Sequence, residues 1–230
     1  TAVTQITGSL SDLATTYTVN NGLTGLGNEA IVVSDANITF TEANTVNGYT
    51  SGVVTASIST TAIDDLDNLD DTGNAYTITV ETAQVTAAAL NTVNAATTVD
   101  VTATAVTQIT GSAAELATAY GGGMTLSNDV TLVLTDTSLA AATLTPTVNG
   151  YSTTIINATS VTELTGTNAE IVAAYTADTA TTVNLDGDVK LTVSDNVTFT
   201  EANTLNGHTS GVVTASISTT AIDDLDNLDD

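Results

Sequence analysis

Apolar residues in this chain come in short alternating runs, and each run leads into a helix-forming stretch. Several runs place apolar side chains at positions 1, 3 and 8, with a small residue at 6. Examples are Ile31, Val33, Ala36, Ile38; Ile78, Val80, Ala83, Val85; Val99, Val101, Thr104, Val106; and Leu132, Leu134, Thr137, Leu139. Alternation at 1 and 3 predicts a half-buried strand. The small residue lets the chain turn inward, and position 8 re-enters the core. Strand-like starts fall near Val53, Ile78, Val99, Leu132, Ile155, Leu191 and Val212, six intervals in 159 residues with a mean of 26.5.

Helix starts follow the strands. Ser112 with Glu115, Thr167 with Glu170 and Thr198 with Glu201 have capping-box spacing, in which the hydroxyl takes one orphan amide and the carboxylate returns to another. Ser9 with Asp12, Thr61 with Asp64 and Thr220 with Asp223 are shorter versions of the device. Asn-Gly pairs at Asn47–Gly48, Asn149–Gly150 and Asn206–Gly207 are expected to end elements, because both residues tolerate positive φ. Each coil then reads as strand, bend, short helix, turn and next strand. So few residues cannot bury a face alone, so neighbouring coils must supply the stability.

The pattern is duplicated. Asn37 to Asp71 returns at Asn196 to Asp230 with three changes, Ile38 to Val197, Val46 to Leu205 and Tyr49 to His208. Thr1 to Ser9 (TAVTQITGS) returns unchanged at Thr104 to Ser112. A long fixed offset marks an array that grows by adding units. The expected architecture is a repeat solenoid: residues 1–230 as one continuous right-handed parallel β-solenoid with short helices or turns in each coil, organised as a 159-residue super-repeat. Uncapped ends expose strand edges, so the chain is expected to be a window on a longer protein or to join end to end with copies of itself.

Composition narrows the chemistry. Twenty-six acidic residues face one basic residue, Lys190, and one histidine, His208, for a net charge of -25. Nucleic acid and anionic membrane surfaces are excluded as partners, since no cations are present to meet phosphates. The 42% hydrophobic content argues against disorder. No run of 18 apolar residues occurs, so no membrane insertion is expected. With no Cys, one His and one Lys, a nucleophile–base pair has little to draw on, and no catalytic residues are assigned. Strong acidity suits a salt-screened exterior better than cytosol.

The motifs ITGSAAEL, VSDNVTFTEANTLNG and VTASISTTAIDDLDNLDD together resemble giant tandem-repeat cell-surface and extracellular proteins of cyanobacteria and other aquatic bacteria, often labelled hemolysin-type calcium-binding. The coil spacing also resembles that of leucine-rich repeats. The first resemblance implies an extracellular or cell-surface structural protein, not an enzyme, forming a rod, fibre or surface-layer element. It also implies copies of itself and cell-surface polysaccharide as partners. The diagnostic calcium nonapeptide is absent, since Gly121-Gly122-Gly123-Met124 lacks its Asp.

Candidate ligands for Ca²⁺ are Asp64, Asp65, Asp67, Asp70 and Asp71, with Asp223, Asp224, Asp226, Asp229 and Asp230 in the second copy. A calcium-dependent adhesin module is therefore the alternative function. The same run also reads as a solvated helix face, with Ile63, Leu66 and Leu69 turned to the core. Asp186–Gly187–Asp188 reads as a turn, Lys190 as an outward strand residue and His208 as an exposed surface residue. Rows of Thr on a flat face leave ice binding as a remote alternative.

Overall fold

The computed structural model describes residues 3–18, 24–218 and 228. In chain order the elements are β1 (Gln5–Gly8), α1 (Leu10–Thr18), β2 (Ala30–Val33), α2 (Phe40–Asn47), β3 (Val54–Ser57), α3 (Ile63–Leu66), β4 (Ala75–Thr77), β5 (Gln84–Thr86), α4 (Ala87–Ala96) and β6 (Val101–Ala103). There follow β7 (Gln108–Gly111), α5 (Ala113–Tyr120), β8 (Met124–Leu126), β9 (Thr131–Leu134) and β10 (Ser138–Ala140). After a π-helical turn at Thr143–Thr147 come β11 (Ile156–Asn157), β12 (Glu163–Gly166) and α6 (Asn168–Thr179). The chain continues with β13 (Val183–Asn184), β14 (Lys190–Val197), α7 (Phe199–Asn206) and β15 (Val213–Ile217).

The expected single β-solenoid is not what forms. The strands fall into four separate parallel sheets in an α/β architecture. The chain divides into two compact units, residues 1–106 with 118–127, and residues 107–117 with 128–230. The first unit holds β1-β2-β3-β4 and the pair β6-β8; the second holds β10-β12-β14-β15 and β13-β11-β9-β7.

Coil lengths are unequal. Paired residues on neighbouring strands are 25 apart at Gln5 and Ala30, but 20 apart at Thr55 and Ala75. They are 27 apart at Glu163 and Lys190 and 22 apart at Leu191 and Val213. Each sheet accommodates this variation, and the ladders part where a short bend splits an extended run, as at residues 135–137, after which β9 and β10 join different sheets. Val53, Val99, Ile155 and Val212, taken as strand starts, are exposed and lie just outside the inward register.

The predicted spacing holds in these coils except at Val99, which is exposed. Ile31, Val33 and Ile38 are buried, as are Ile78, Val80 and Val85, Val101 and Val106, and Leu132, Leu134 and Leu139. Each such side chain is worth about 1.5–3 kcal/mol on burial. Capping boxes form at Thr39–Glu42, Thr167–Glu170 and Thr198–Glu201, and Ser112–Glu115 makes the same hydrogen bonds. Ser9 and Asp12 also exchange bonds. Thr61 does not cap α3: Ala62 is its N-cap, and the Ile63 amide donates to Thr82 Oγ1 at 2.9 Å. Thr220–Asp223 lies outside the described residues. Gly48 and Gly207 end their helices at φ −64° and −68°, in ordinary right-handed geometry and not the expected positive φ.

Glycine is required elsewhere. A Cβ on Gly52 would sit 2.4 Å from the Glu29 carbonyl oxygen, and one on Gly211 would sit 2.3 Å from that of Asp188. At both points successive coils approach backbone to backbone.

Candidate functional site

The acidic run is organised by its apolar residues. Ile63, Leu66 and Leu69 are buried, so Asp64, Asp65, Asp70 and Asp71 face solvent and Asp67 is half-buried. Asn68 then ties the run down, donating to the Asp64 carbonyl at 2.6 Å and to Asp67 Oδ1 at 2.9 Å. From the preceding coil, Asn44 donates to the Asn68 carbonyl and accepts from the Asp70 amide, each at 2.8 Å. Asp71, at φ 67°, accepts from the Thr72 amide. Four of the five carboxylates therefore face solvent, and the fifth, Asp67, accepts from Asn68. Among the described residues, no three His, Asp or Glu side chains converge on a point that could hold a metal ion. Asp223, Asp224, Asp226, Asp229 and Asp230 lie outside the described residues.

Asp186 accepts from the Gly187 amide at 2.7 Å in an exposed turn. Lys190 points outward between buried neighbours on β14. His208 is half-buried rather than exposed: it stacks on Tyr175 at 4.9 Å and 7°. Its counterpart Tyr49 stacks on Tyr17 at the same distance and angle. The two copies thus conserve a stacked planar ring.

Several residues matter that the sequence reading did not single out. Asp35, Asp136 and Asp195 each reach back one coil to cap the first amide of a helix. The donors are Leu10, Ala113 and Asn168, at 2.7, 2.7 and 2.8 Å. The available signal was an Asp two residues after an inward strand residue, as in Val33–Asp35, Leu134–Asp136 and Val193–Asp195. Negative charge is favoured there by the helix dipole as well as by the hydrogen bond. Within the boxes, the Ser112 amide and hydroxyl hold the Glu115 carboxyl below its usual range, and those of Thr198 do the same for Glu201.

Among the described residues, Glu29 is the one buried acid. The Thr50 hydroxyl donates to the Glu29 carbonyl as Thr154 does to Val130 and Thr209 to Val189, so Glu29 stands where other coils bury valine. Its carboxylate accepts from the Tyr17 hydroxyl and from the amides of Gly27 at 2.8 Å and Asn28 at 3.2 Å. Burial pushes its pKa up, but these hydrogen bonds outweigh it and leave the group below its ordinary value. Burial, together with Glu29, drives the Tyr17 hydroxyl upward. Burial alone raises Tyr120 to about 12. The carboxylate anchors Gly27 and Asn28 just before β2 and holds the Tyr17 ring that stacks on Tyr49.

A groove of about 250 Å³ runs beside β15, lined by Ala202, Asn206, Val213, Ala215, Ile217 and Leu228. No helix among the described residues is long and apolar enough to cross a membrane. Comparison with protein-family models, curated proteins and solved structures gave no match. Fold and site together define an acidic α/β chain with an internal duplication, in which Asp35, Asp136, Asp195 and the capping-box glutamates accept from helix N-terminal amides.

Proposed function

We propose that this chain is a structural repeat element of a bacterial cell exterior, a component of a fibre, rod or surface layer. The observation that supports this reading is what the duplication preserves. The three changes between copies keep Val197 and Leu205 buried and keep His208 stacked. Helices α2 and α7 carry the same capping box, with the same 2.8 Å bond from the cap amide to Glu42 or Glu201. A segment copied for a reaction would carry a reactive constellation with it. What is copied here is packing and capping.

The exterior placement follows from the charge. A net charge of -25 with one lysine repels itself strongly at low salt and is screened over about 10 Å or less at the ionic strength of sea water. The partners of such an element are further repeats of its own kind and cell-surface polysaccharide. Antibodies against the chain should label intact cells, and the native protein should sediment as a salt-dependent assembly. Labelling confined to lysed cells, or monomeric behaviour of the native protein at all salt concentrations, overturns the reading.

A further inference from the structure

Asparagine or aspartate followed by glycine is the sequence most prone to rearrange through its own backbone, because the glycine nitrogen can attack the side-chain carbonyl carbon and no side chain shields it. Among the described residues there are four such pairs, Asn47–Gly48, Asn149–Gly150, Asp186–Gly187 and Asn206–Gly207. The fold treats them differently. The amides of Gly48 and Gly207 donate to the carbonyls of Asn44 and Asn203, at 3.0 and 2.9 Å, in helix ends at φ −64° and −68°. Gly150 closes the 3₁₀ turn Val148–Gly150, and the Asn149 side chain is held across to Thr182 at 3.4 Å. Helical backbone turns each of these nitrogens out of line with the preceding side chain.

Gly187 is arranged for attack. Its nitrogen donates to Asp186 Oδ1 at 2.7 Å in an exposed turn, and so lies against the carboxyl of the residue it follows. No atom comes within 4 Å of the place a Gly187 Cβ would take, so the nitrogen is unshielded. Asp71 makes the same bond to the Thr72 amide at 3.0 Å, but there a branched side chain crowds the nitrogen. The first copy offers no equivalent: Gly27, whose carbonyl accepts from Ser51 as that of Gly187 does from Ser210, follows Leu26.

We propose that Asp186–Gly187 is a site of spontaneous covalent modification, at which aspartate converts to isoaspartate. The Gly187 nitrogen forms a bond to Asp186 Cγ and gives up its proton, one carboxyl oxygen leaves as water, and a five-membered succinimide closes. Water then adds to the ring's backbone carbonyl and breaks its bond to the Gly187 nitrogen, which leaves the chain running through the side chain. One water leaves and one returns, so the mass is unchanged and the main chain is longer by one methylene.

The position makes the change consequential. The Gly187 carbonyl accepts from the Ser210 amide at 2.8 Å, the Ser210 hydroxyl at 3.1 Å and the Thr209 hydroxyl at 3.3 Å. A Cβ on Gly211 would lie 2.3 Å from the Asp188 carbonyl oxygen, so the two stretches of backbone meet with no room for an added atom. Isoaspartate therefore displaces Gly187 and loosens the contact between residues 186–189 and 209–211, which lead into β14 and β15. That contact weakens with age, while the matching one at Gly27 and Ser51 does not. The inference goes beyond the structural reading above and does not rest on it.

The full chain is held at physiological temperature and neutral pH, sampled over weeks, and digested with a protease that cuts before aspartate but not before isoaspartate. Loss of the cut at Asp186, with the cut at Asp188 retained and no change in mass, should precede any change at Asn47, Asn149, Asn206 or Asp71. In urea the order should reverse, because Asn-Gly is the faster pair when no fold restrains it. Gly187→Val places its side chain in open space and crowds the nitrogen, so it should keep the fold and slow the loss by about tenfold or more. Amide exchange at Ser210 should quicken as the native chain ages and stay constant in Gly187→Val. The proposal is overturned if Asp186 stays intact, if the asparagine pairs react first in the folded chain, or if Gly187→Val ages at the native rate. Unchanged exchange at Ser210 once Asp186 has isomerised overturns the effect on the coil contact.

Discussion

Glu29→Gln isolates the value of a charge at a position where other coils bury valine. The substitution keeps the shape of the side chain but removes its charge. Three donors converge on the carboxylate, the Tyr17 hydroxyl and the Gly27 and Asn28 amides. A hydrogen bond to a charged group is worth about 1.5–3 kcal/mol and a neutral one about 0.5–1.5, and one carboxylate oxygen is replaced by an NH₂ donor that only the rotatable Tyr17 hydroxyl can accept. Gly27 is half-buried and Asn28 exposed, so water recovers part of the loss there. The expected cost is about 1–3 kcal/mol, and each kcal/mol lowers the melting temperature of a chain this size by about 2–4 °C. The carboxyl is held below its ordinary value of 4.5, so its contribution is present above that value and lost as pH falls through the lower folded pKa. Calorimetry should therefore show the deficit in full at neutral pH and a smaller one in acid. Equal melting at neutral pH, or a deficit that grows on acidification, would refute the assignment of a stabilising buried charge.

Gly52→Ala and Gly211→Ala should each destabilise by about 1–3 kcal/mol or more, because backbone carbonyls block the new methyl; Gly48→Ala, at φ −64° with its nearest atom at 3.4 Å, should be tolerated or stabilise by about 0.4–1 kcal/mol. Urea titration of the three variants checks the contrast. Asp136→Ala removes the cross-coil cap on Ala113 and should cost about 1 kcal/mol, seen as a lower urea midpoint and earlier loss of helical circular dichroism. Val101→Asp places an unpaired carboxylate at a fully buried strand position and should cost several kcal/mol; a soluble variant with unchanged melting would show that Val101 does not face the core.

Local structure was legible because local physics decides it. The 1, 3, 8 spacing named buried side chains correctly except at Val99, which is exposed, and Ser/Thr-x-x-Glu named helix starts, since both signals act within a few residues. The sheet arrangement was not legible. Whether Thr55 pairs with Ala75 or with a residue further on depends on the length of the intervening coil, and strand sequence alone does not reveal it. Thr61 failed as a cap for a related reason: Thr82, in the next coil, satisfies the Ile63 amide instead. Glu29 was passed over because a lone acid before AIVV looks like an ordinary loop residue until the Thr50 bond aligns it with Val130 and Val189.

The acidic composition has a structural side that net charge conceals. Asp35, Asp136 and Asp195 sit at helix N-termini from the following coil, while Glu42, Glu115, Glu170 and Glu201 sit there from within the helix. Each fills an orphan amide that a short helix cannot satisfy itself, at the end where the helix dipole favours negative charge. Helices of eight to twelve residues expose a large share of their amides in this way. A chain assembled from many short helices therefore needs many acceptors, and carboxylates are the strongest available. A lysine placed near such a cap would compete with the backbone for its oxygen. One sign of charge thus follows from building with short coils, and the duplication multiplies it: every added copy of Asn37 to Asp71 brings another Thr-x-x-Glu cap and another run of aspartates.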